Sequence, residues 1–372
     1  MIDLIDIKIL LAHKPFGNER VKLIENSSSS VSKRYGTKIR LREGAAPLNV
    51  ISLNNGTAIA MRCCPLKPLQ GHNVFGTNDI CLLGSTIICA VLDQLRVPYT
   101  EKLRAAWNSG EFELQSLDIT NRFALPHQID ARQLSKYMLR NTSFSLLPAA
   151  LRKGTGVRME VPRSHAAWLF YDKRQELDDK RTSSQPHLWA VLGKQDINVW
   201  NLLRNEAVGN IRAELKLSKE YLAQHKLDRG FAWTDDLVQQ VFFAEMSKLR
   251  FERHQPIEYV KQSATHLPAH LRRTFELWAR GAGLGALFSP SGLAHHRSEI
   301  RRETRVDIMR DVPVKEVLPL SDIFSSHNML PAFPDWHIDY PLVAFGSECG
   351  DRCIALPTNR YPNRSAHRQY GP

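Results

Sequence analysis

GNIRAELKLSKEYL, residues 209 to 222, alternates without a break: Ile211, Ala213, Leu215 and Leu217 face one way, and Arg212, Glu214 and Lys216 the other. A period of two is that of a β-strand with one buried face. The chain therefore holds a sheet with an apolar side against a core and a second side that carries charge. Two further segments share this character. In FELQSLDITNRF, residues 112 to 123, Leu117 and Ile119 alternate with Asp118 and Thr120. In RSHAAWLFYDKRQEL, residues 163 to 177, Trp168, Leu169 and Phe170 make a strand whose alternation puts Tyr171 and Lys173 on one face. Acids and cations aimed from several strands at one surface are costly unless they meet a partner.

Working outward, Met1 to Leu11 reads as a half-buried strand, and Lys38 to Leu41, Asn49 to Leu53 and TAIAMRCC as short strands, the last stopping at Pro65. ENSSSS, residues 25 to 30, is a loop, as is LQGHNVFGTND, residues 69 to 79. Thr77 or Asn78 then caps a helix with Ile80, Leu83, Ile87 and Val91 on one face. A helix over 130–140, a strand near 157–161 and a helix in DINVWNLLRNE complete the mixed part. From about Trp233 the pattern turns helical, in DDLVQQVFFAEMSKLRF, LPAHLRRTFELWARG and HHRSEIRRETRVDIMR. The expected division is a mixed α/β domain at 1–228, a helical domain at 229–345, and a basic, disordered tail at 346–372. The fold class expected is α+β, an antiparallel sheet with flanking helices followed by a helical domain.

The 372 residues carry 50 Lys and Arg against 38 Asp and Glu, a net charge of +12. That excess favours a polyanionic partner, though charge alone fits a generically basic protein equally well. No stretch reaches the roughly 20 apolar residues of a membrane span, and the acidic opening MIDLIDIKILL is unlike a signal peptide, so a cytoplasmic protein is expected. Six cysteines, with Cys63 and Cys64 adjacent and Cys349 and Cys353 four apart, form neither a disulfide nor a zinc framework. No G-x-x-x-x-G-K and no H-x-H occurs, which excludes an intrinsic P-loop motor and the usual histidine pair of a rolling-circle nickase.

The charged face suits metal-assisted phosphoryl transfer, with Asp118 and Glu214 as hard oxygen ligands for Mg²⁺ or Mn²⁺. A tyrosine that attacks a DNA phosphodiester forms an ester of comparable energy, so the strand can be resealed without ATP. A phenol of pKa about 10 needs help at neutral pH, and Lys173 beside it would supply positive charge. Each residue also has an ordinary reading: Tyr171 as a core aromatic, Asp118 and Glu214 in strand-edge ion pairs, His72 as a loop residue that satisfies backbone groups.

LQGHNVFGT, residues 69 to 77, resembles the most recognisable block of the filamentous-phage replication initiators, the gene-two/gene-X family of phage and plasmid replication proteins. Shorter matches follow along the chain. MIDLIDIKIL resembles the family's opening, SLDIT its R-I-D strand, SHAAWLFYDKRQEL its Y-x-K-x-x-E-L segment, and IRAELKLSKEYL its L-R-x-E strand. HHRSEIRRETRVDI resembles its arginine helix, and PDW, at 334 to 336, its closing motif. The resemblance implies a rolling-circle initiator that nicks the plus strand of double-stranded replicative-form DNA through a covalent 5′-phosphotyrosine, and later rejoins the displaced strand. It implies Tyr171 as the nucleophile with Lys173 beside it, and a divalent cation shared among Asp118, Glu214 and His72. The expected DNA contacts are Lys67, Arg163, Arg174, Arg212, Arg297, Arg301 and Arg302.

Partners implied are origin DNA, double- and single-stranded, with the host replicative helicase, DNA polymerase and single-strand-binding protein, in the cytoplasm of a bacterial host. Two departures stand out. Ser116 replaces the arginine of R-I-D, which shifts any phosphate contact to Arg122 or Arg212, and LRFERHQPIEY repeats the L-R-x-E spacing, which makes Tyr259, with Tyr221, a rival to Tyr171. The alternative reading is a non-catalytic origin-binding or repressor protein of the same family. An RNA-binding protein is more distant, since the aromatic signature of an RRM is absent.

Overall fold

The computed structural model describes residues 1–338 apart from 25–30, 128, 143–148, 153–155, 162–163, 180–185, 193–195, 250–253, 257–260, 263, 310–311 and 315–317. The ENSSSS loop, Arg163, Tyr259, Cys349, Cys353 and the expected tail at 346–372 lie outside the described residues.

Beside a separate short parallel pair at His254–Pro256 and Val312–Val314, ten strands among the described residues build the main sheet: β1 (Ile2–Leu10), β2 (Asn18–Ile24), β3 (Val31–Ile39), β4 (Leu48–Leu53), β5 (Ala58–Cys63), β6 (Glu113–Ala124), β7 (Ala149–Arg152), β8 (Gly156–Val161), β9 (Ala166–Tyr171) and β10 (Asn210–Leu217). They form one sheet in the order β2-β3-β4-β5-β1-β6-β10-β9-β8-β7, and every neighbouring pair is antiparallel. The helices are α1 (Leu66–Gln70), α2 (Ile80–Leu95), α3 (Glu101–Asn108), α4 (Ala131–Thr142), α5 (Lys173–Asp178), α6 (Pro186–Leu192), α7 (Ile197–Glu206), α8 (Lys219–Gln224) and α9 (Asp235–Ser247), and beyond them come Ala269–Ala279 and Pro290–Thr304. This is the expected α+β class with an antiparallel sheet flanked by helices.

The alternation seen in the sequence sets the two sides of the sheet. Ile5, Ile7, Leu117, Ile119, Trp168, Phe170, Ile211, Ala213, Leu215 and Leu217 are buried in one apolar cluster. Helices α2 and α9 pack onto it, and the Trp168 ring meets Phe242 edge-on at 4.9 Å. The helix α2 is capped by Asp79, whose carboxylate accepts from the Leu82 amide at 2.8 Å; Thr77 instead accepts from the Asp79 amide. On the opposite side of the sheet lie residues 72–76, α5 to α7 and residues 331–336, with a small cluster of Val74, Phe75, Leu177, Leu188, Val199 and Leu203 against which Phe333 and Trp336 pack.

The hydrophobic clusters divide the chain elsewhere than at residue 228. The apolar stripe of α9, with Val238, Phe242 and Met246, belongs to the sheet's core, and Leu320, Ile323 and Phe324 return to that core. A separate cluster runs from Ala264 to Ile308, with Phe275 and Trp278 facing Leu293 and Ile300 across the helices Ala269–Ala279 and Pro290–Thr304. Among the described residues no helix is long and apolar enough to cross a membrane.

Candidate active site

The side of the sheet opposite α2 and α9 collects the charge. Cross-strand register sets Arg212 opposite Tyr171 on β9 and Arg122 on β6, Glu214 opposite Thr120, and Lys216 opposite Asp118. Residues directly opposite in antiparallel strands share a face, so these side chains form one polar surface, as the alternation predicts.

Lys173 reaches this surface by another route. The strand stops at Tyr171, because Asp172 turns out of the ladder and caps α5 by accepting from the Gln175 amide at 3.2 Å. Lys173 is therefore the first residue of a helix rather than a strand neighbour of Tyr171. Its side chain, only 1% exposed, donates to Asn73 Oδ1 at 2.8 Å and Glu176 Oε2 at 3.0 Å. Burial lowers its pKa to about 8, against the opposing pull of Glu176.

Asn73 links this lysine to a second buried cation. Its Nδ2 donates to Asp3 Oδ1 at 2.7 Å, and Asp3 Oδ1 also lies 2.7 Å from an Arg212 terminal nitrogen. The other terminal nitrogen of Arg212 donates to the Asn73 carbonyl. Burial works to raise the Asp3 carboxyl, but Arg212, with Lys173 and Asn73, outweighs it and holds the group well below the usual carboxylate range. Arg212, fully buried, lies over the Tyr171 ring at 5.7 Å from its centroid. Tyr171 itself is half-buried, and burial pushes its phenol well above its ordinary value although Arg212 pulls the other way.

Gly71 sets the loop that carries Asn73. It ends α1 in the left-handed conformation, φ +84°, and a Cβ there would come within 2.7 Å of the Leu188 Cα. His72, next in the chain, is packed inward. Its ring lies 4.7 Å from that of Phe75, and Nδ1 faces the Val74 amide at 3.3 Å and the Gln70 side-chain amide at 3.4 Å.

The carboxylates expected to bind metal meet a lysine. Lys216 Nζ donates to Asp118 Oδ2 at 2.5 Å and also to Glu214 Oε1. Burial pushes the Asp118 carboxyl up to about 7, opposed by Lys216 and reinforced by Glu214. Burial disfavours charge on Lys216, yet the two carboxylates keep its pKa above the ordinary lysine value. The hydroxyl of Thr120, in register with Glu214, is buried and makes no hydrogen bond. Among the described residues no three His, Cys, Asp or Glu side chains gather as a metal cage. Of the expected trio, Asp118 and Glu214 come together on Lys216, whereas His72 turns its Nδ1 to its own loop.

Several expected DNA contacts are committed within the protein. Arg212 is sealed against Asp3, and Arg122 pairs with Glu206 at 2.5 Å and with the Pro331 carbonyl at 2.7 Å. Arg297 makes a two-pronged pair with Asp307, both contacts at 2.7 Å, while Arg302 pairs with Glu299 and Glu303. Arg174 holds Asp178 at 2.7 Å from the rim. Arg301 is exposed, and half-buried Lys67 lies close enough to bear on Asp3, Lys173 and Glu176. Tyr221 is in the core on the far side of the sheet, with its hydroxyl on Glu245 at 2.8 Å.

Residues 1–236 match the family model of the N-terminal region of the phage gene-two replication-associated protein. The chain belongs to this family. The match spans the sheet and every residue of the polar surface, from Asp3 to Lys216, and stops before the helices Ala269–Ala279 and Pro290–Thr304. The gene-two replication-associated protein of Enterobacteria phage I2-2 is 25% identical over 247 residues, 66% of this chain and 67% of that protein. A solved rolling-circle replication initiator from Geobacillus stearothermophilus superposes over 61% of this chain and 78% of its own, at 10% identity and a TM-score of 0.25, too slight a likeness to bear on the fold.

Proposed function

We propose that this chain initiates rolling-circle DNA replication by nicking the plus strand at the origin through Tyr171 and later rejoining the displaced strand. The observation that carries the reading is the pairing of a half-buried tyrosine with a fixed guanidinium at the end of a strand, on the face of the sheet that also carries Glu214 and Asp118.

In the first step the Tyr171 Oη attacks the scissile phosphorus, the Oη–P bond forms, the P–O3′ bond breaks, and a 3′ hydroxyl is freed. The resting phenol is protonated, since burial raises its pKa, so its proton must leave as the bond forms. Glu176 and then Glu214 are the acids that bear most on the phenol, and a carboxylate of this pair would accept that proton, directly or through water. Arg212, over the ring, stabilises the charge that develops on the phenolic oxygen, and because it is held before the reaction it needs no reorganisation. Asp3, Asn73 and Lys173 act through Arg212 and the loop, as positioning residues. In the second step a 3′ hydroxyl attacks the phosphotyrosine and reverses the exchange, which closes a strand without ATP.

Asp118, Glu214 and the unsatisfied hydroxyl of Thr120 offer the oxygen donors that suit Mg²⁺ or Mn²⁺. Bound there, the ion would supply charge neutralisation at the scissile phosphate. Lys67 and Arg301 are, among the described residues, the candidates to hold phosphates. With ~6 to 10 such contacts, affinity falls by ~10³ to 10⁵ between about 50 and 200 mM salt.

The deciding experiment incubates the protein with supercoiled DNA carrying its own origin and Mg²⁺, then scores nicking and covalent adduct. Wild type nicks and forms an adduct, whereas Tyr171→Phe forms none. An adduct retained by Tyr171→Phe would overturn the nucleophile. Binding without nicking by wild type is what a non-catalytic origin-binding or repressor protein would give.

A further inference from the structure

Among the cations on the polar side of the sheet, Lys216 is held differently from Arg212 and Lys173. Arg212 and Lys173 are sealed, at 0% and 1% exposure, each between an acid and Asn73. Lys216 has a side chain 30% exposed, and its ammonium spans two carboxylates at once. Its backbone is pinned, since Leu215 and Leu217 on either side are in the core, but its four-carbon stem leaves the head free to move. With both acids ionised, the two carboxylates and the one ammonium between them sum to −1, so a divalent cation matches the pair better than a single ammonium does. The Thr120 hydroxyl, 1% exposed and without a hydrogen bond, is an oxygen that the ammonium, turned to the two acids, leaves unused. A divalent cation with six or more oxygen ligands would use it.

We propose that Lys216 is the exchangeable counter-ion of the Asp118–Glu214 pair: a divalent cation enters by displacing its ammonium, and the displaced ammonium turns to a phosphate of the DNA strand. The inference rests on the reading above that these two acids hold the metal. An ammonium and a divalent ion cannot both occupy the space between the two carboxylates, so the two compete. A DNA phosphate that draws Lys216 away therefore frees the acids, and DNA and metal bind with positive coupling, which by linkage is reciprocal. Lys216 thereby delays loading of the metal until the strand is in place.

The test is Mn²⁺ binding, read from the paramagnetic resonance signal of the free ion, on the full chain and on Lys216→Met, Lys216→Gln and the double variant Asp118→Asn/Glu214→Gln. Removing a unit charge about 8 Å from a divalent ion, at an effective dielectric of about 40 to 80, tightens binding roughly 5- to 30-fold, and both Lys216 variants should show this. The double variant should lose the site. Oligothymidylate should raise the Mn²⁺ affinity of wild type and leave that of Lys216→Met unchanged. Affinity unchanged or weakened in both Lys216 variants, with the site still lost in the double variant, overturns the role of Lys216 and spares the acids. Mn²⁺ retained by the double variant overturns the acids as its ligands. Equal enhancement by oligothymidylate in wild type and Lys216→Met overturns the transfer of the ammonium to phosphate.

Discussion

The two charged networks on the polar side of the sheet are built from the same residue types and behave in opposite ways. Around Arg212 each charge has a partner and almost no water, and the carboxylate of Asp3 is held ionised far below its ordinary range. Around Lys216 two acids share one lysine with a partly exposed head, and burial pushes Asp118 up to about 7. The first network fixes geometry, because its buried charges are paired and none can leave without stranding another. The second is a site whose occupant can be exchanged. The difference teaches that burial and pairing, more than residue identity, divide a cluster of acids and bases into a part that positions and a part that reacts.

The largest effect should come from breaking the first network. Asp3→Asn keeps the shape but strands the Arg212 charge in the core, which costs about 3 to 5 kcal/mol. Lys216→Met leaves Asp118 free to take up a proton and costs about 1 kcal/mol. Urea denaturation of both variants measures the contrast, and equal losses would show that the two networks are alike in rigidity.

The pH dependence of stability sharpens the same comparison, because the two aspartates have opposite signs. The folded pKa of Asp3 is depressed, so its contribution is present above about pH 4 and is lost as pH falls through the folded value. The folded pKa of Asp118 is raised to about 7. Its contribution is full below about pH 4 and is lost as pH rises toward 7. Over that interval Asp118→Asn should flatten the stability profile by up to a few kcal/mol, whereas Asp3→Asn should lower it without changing its slope. Denaturation midpoints taken from pH 4 to pH 8 distinguish the two.

How much of this was legible in the sequence follows from what alternation can carry. The strands of Asp118, Tyr171 and Arg212, and the shared face of their polar residues, were readable because period two survives any tertiary context that buries one side. Asp3 was not. Strict alternation in MIDLIDIKIL groups it with Ile5 and Ile7, but the pairing of β1 with β6 slips by one residue between Ile2 and Leu4, and the bulge turns Asp3 to the other side. Lys173 was placed on the right surface for the wrong reason, since a cap at Asp172 ends the strand and the helix brings the lysine round. Asn73 joins Asp3 and Lys173 across 70 and 100 residues, a link that no local pattern encodes. Lys216 was visible on the charged face, yet its contact with both acids needed the cross-strand register.

The same distinction between fixed and available charge applies to the arginine helix Pro290–Thr304, and there the expected effect is smallest. Arg297, Arg301 and Arg302 read alike in the sequence, but Arg297 is spent on Asp307 and Arg302 on two glutamates, which leaves Arg301 exposed without an ion pair among the described residues. A guanidinium already bound two-pronged to a carboxylate must give up that pair to reach a phosphate, so it contributes little to DNA affinity. Arg301→Ala should weaken binding a few-fold, equally for all sequences, and reduce the slope of log affinity against log salt by about 1. Arg297→Ala should leave that slope unchanged and lower stability instead, because Asp307, in the fold between the helix and Ile308, loses its partner. Filter binding across a salt series, run beside thermal melts of the two variants, separates them. A slope that drops for Arg297→Ala would mean that the Asp307 pair opens on DNA, and that this helix too holds an exchangeable cation.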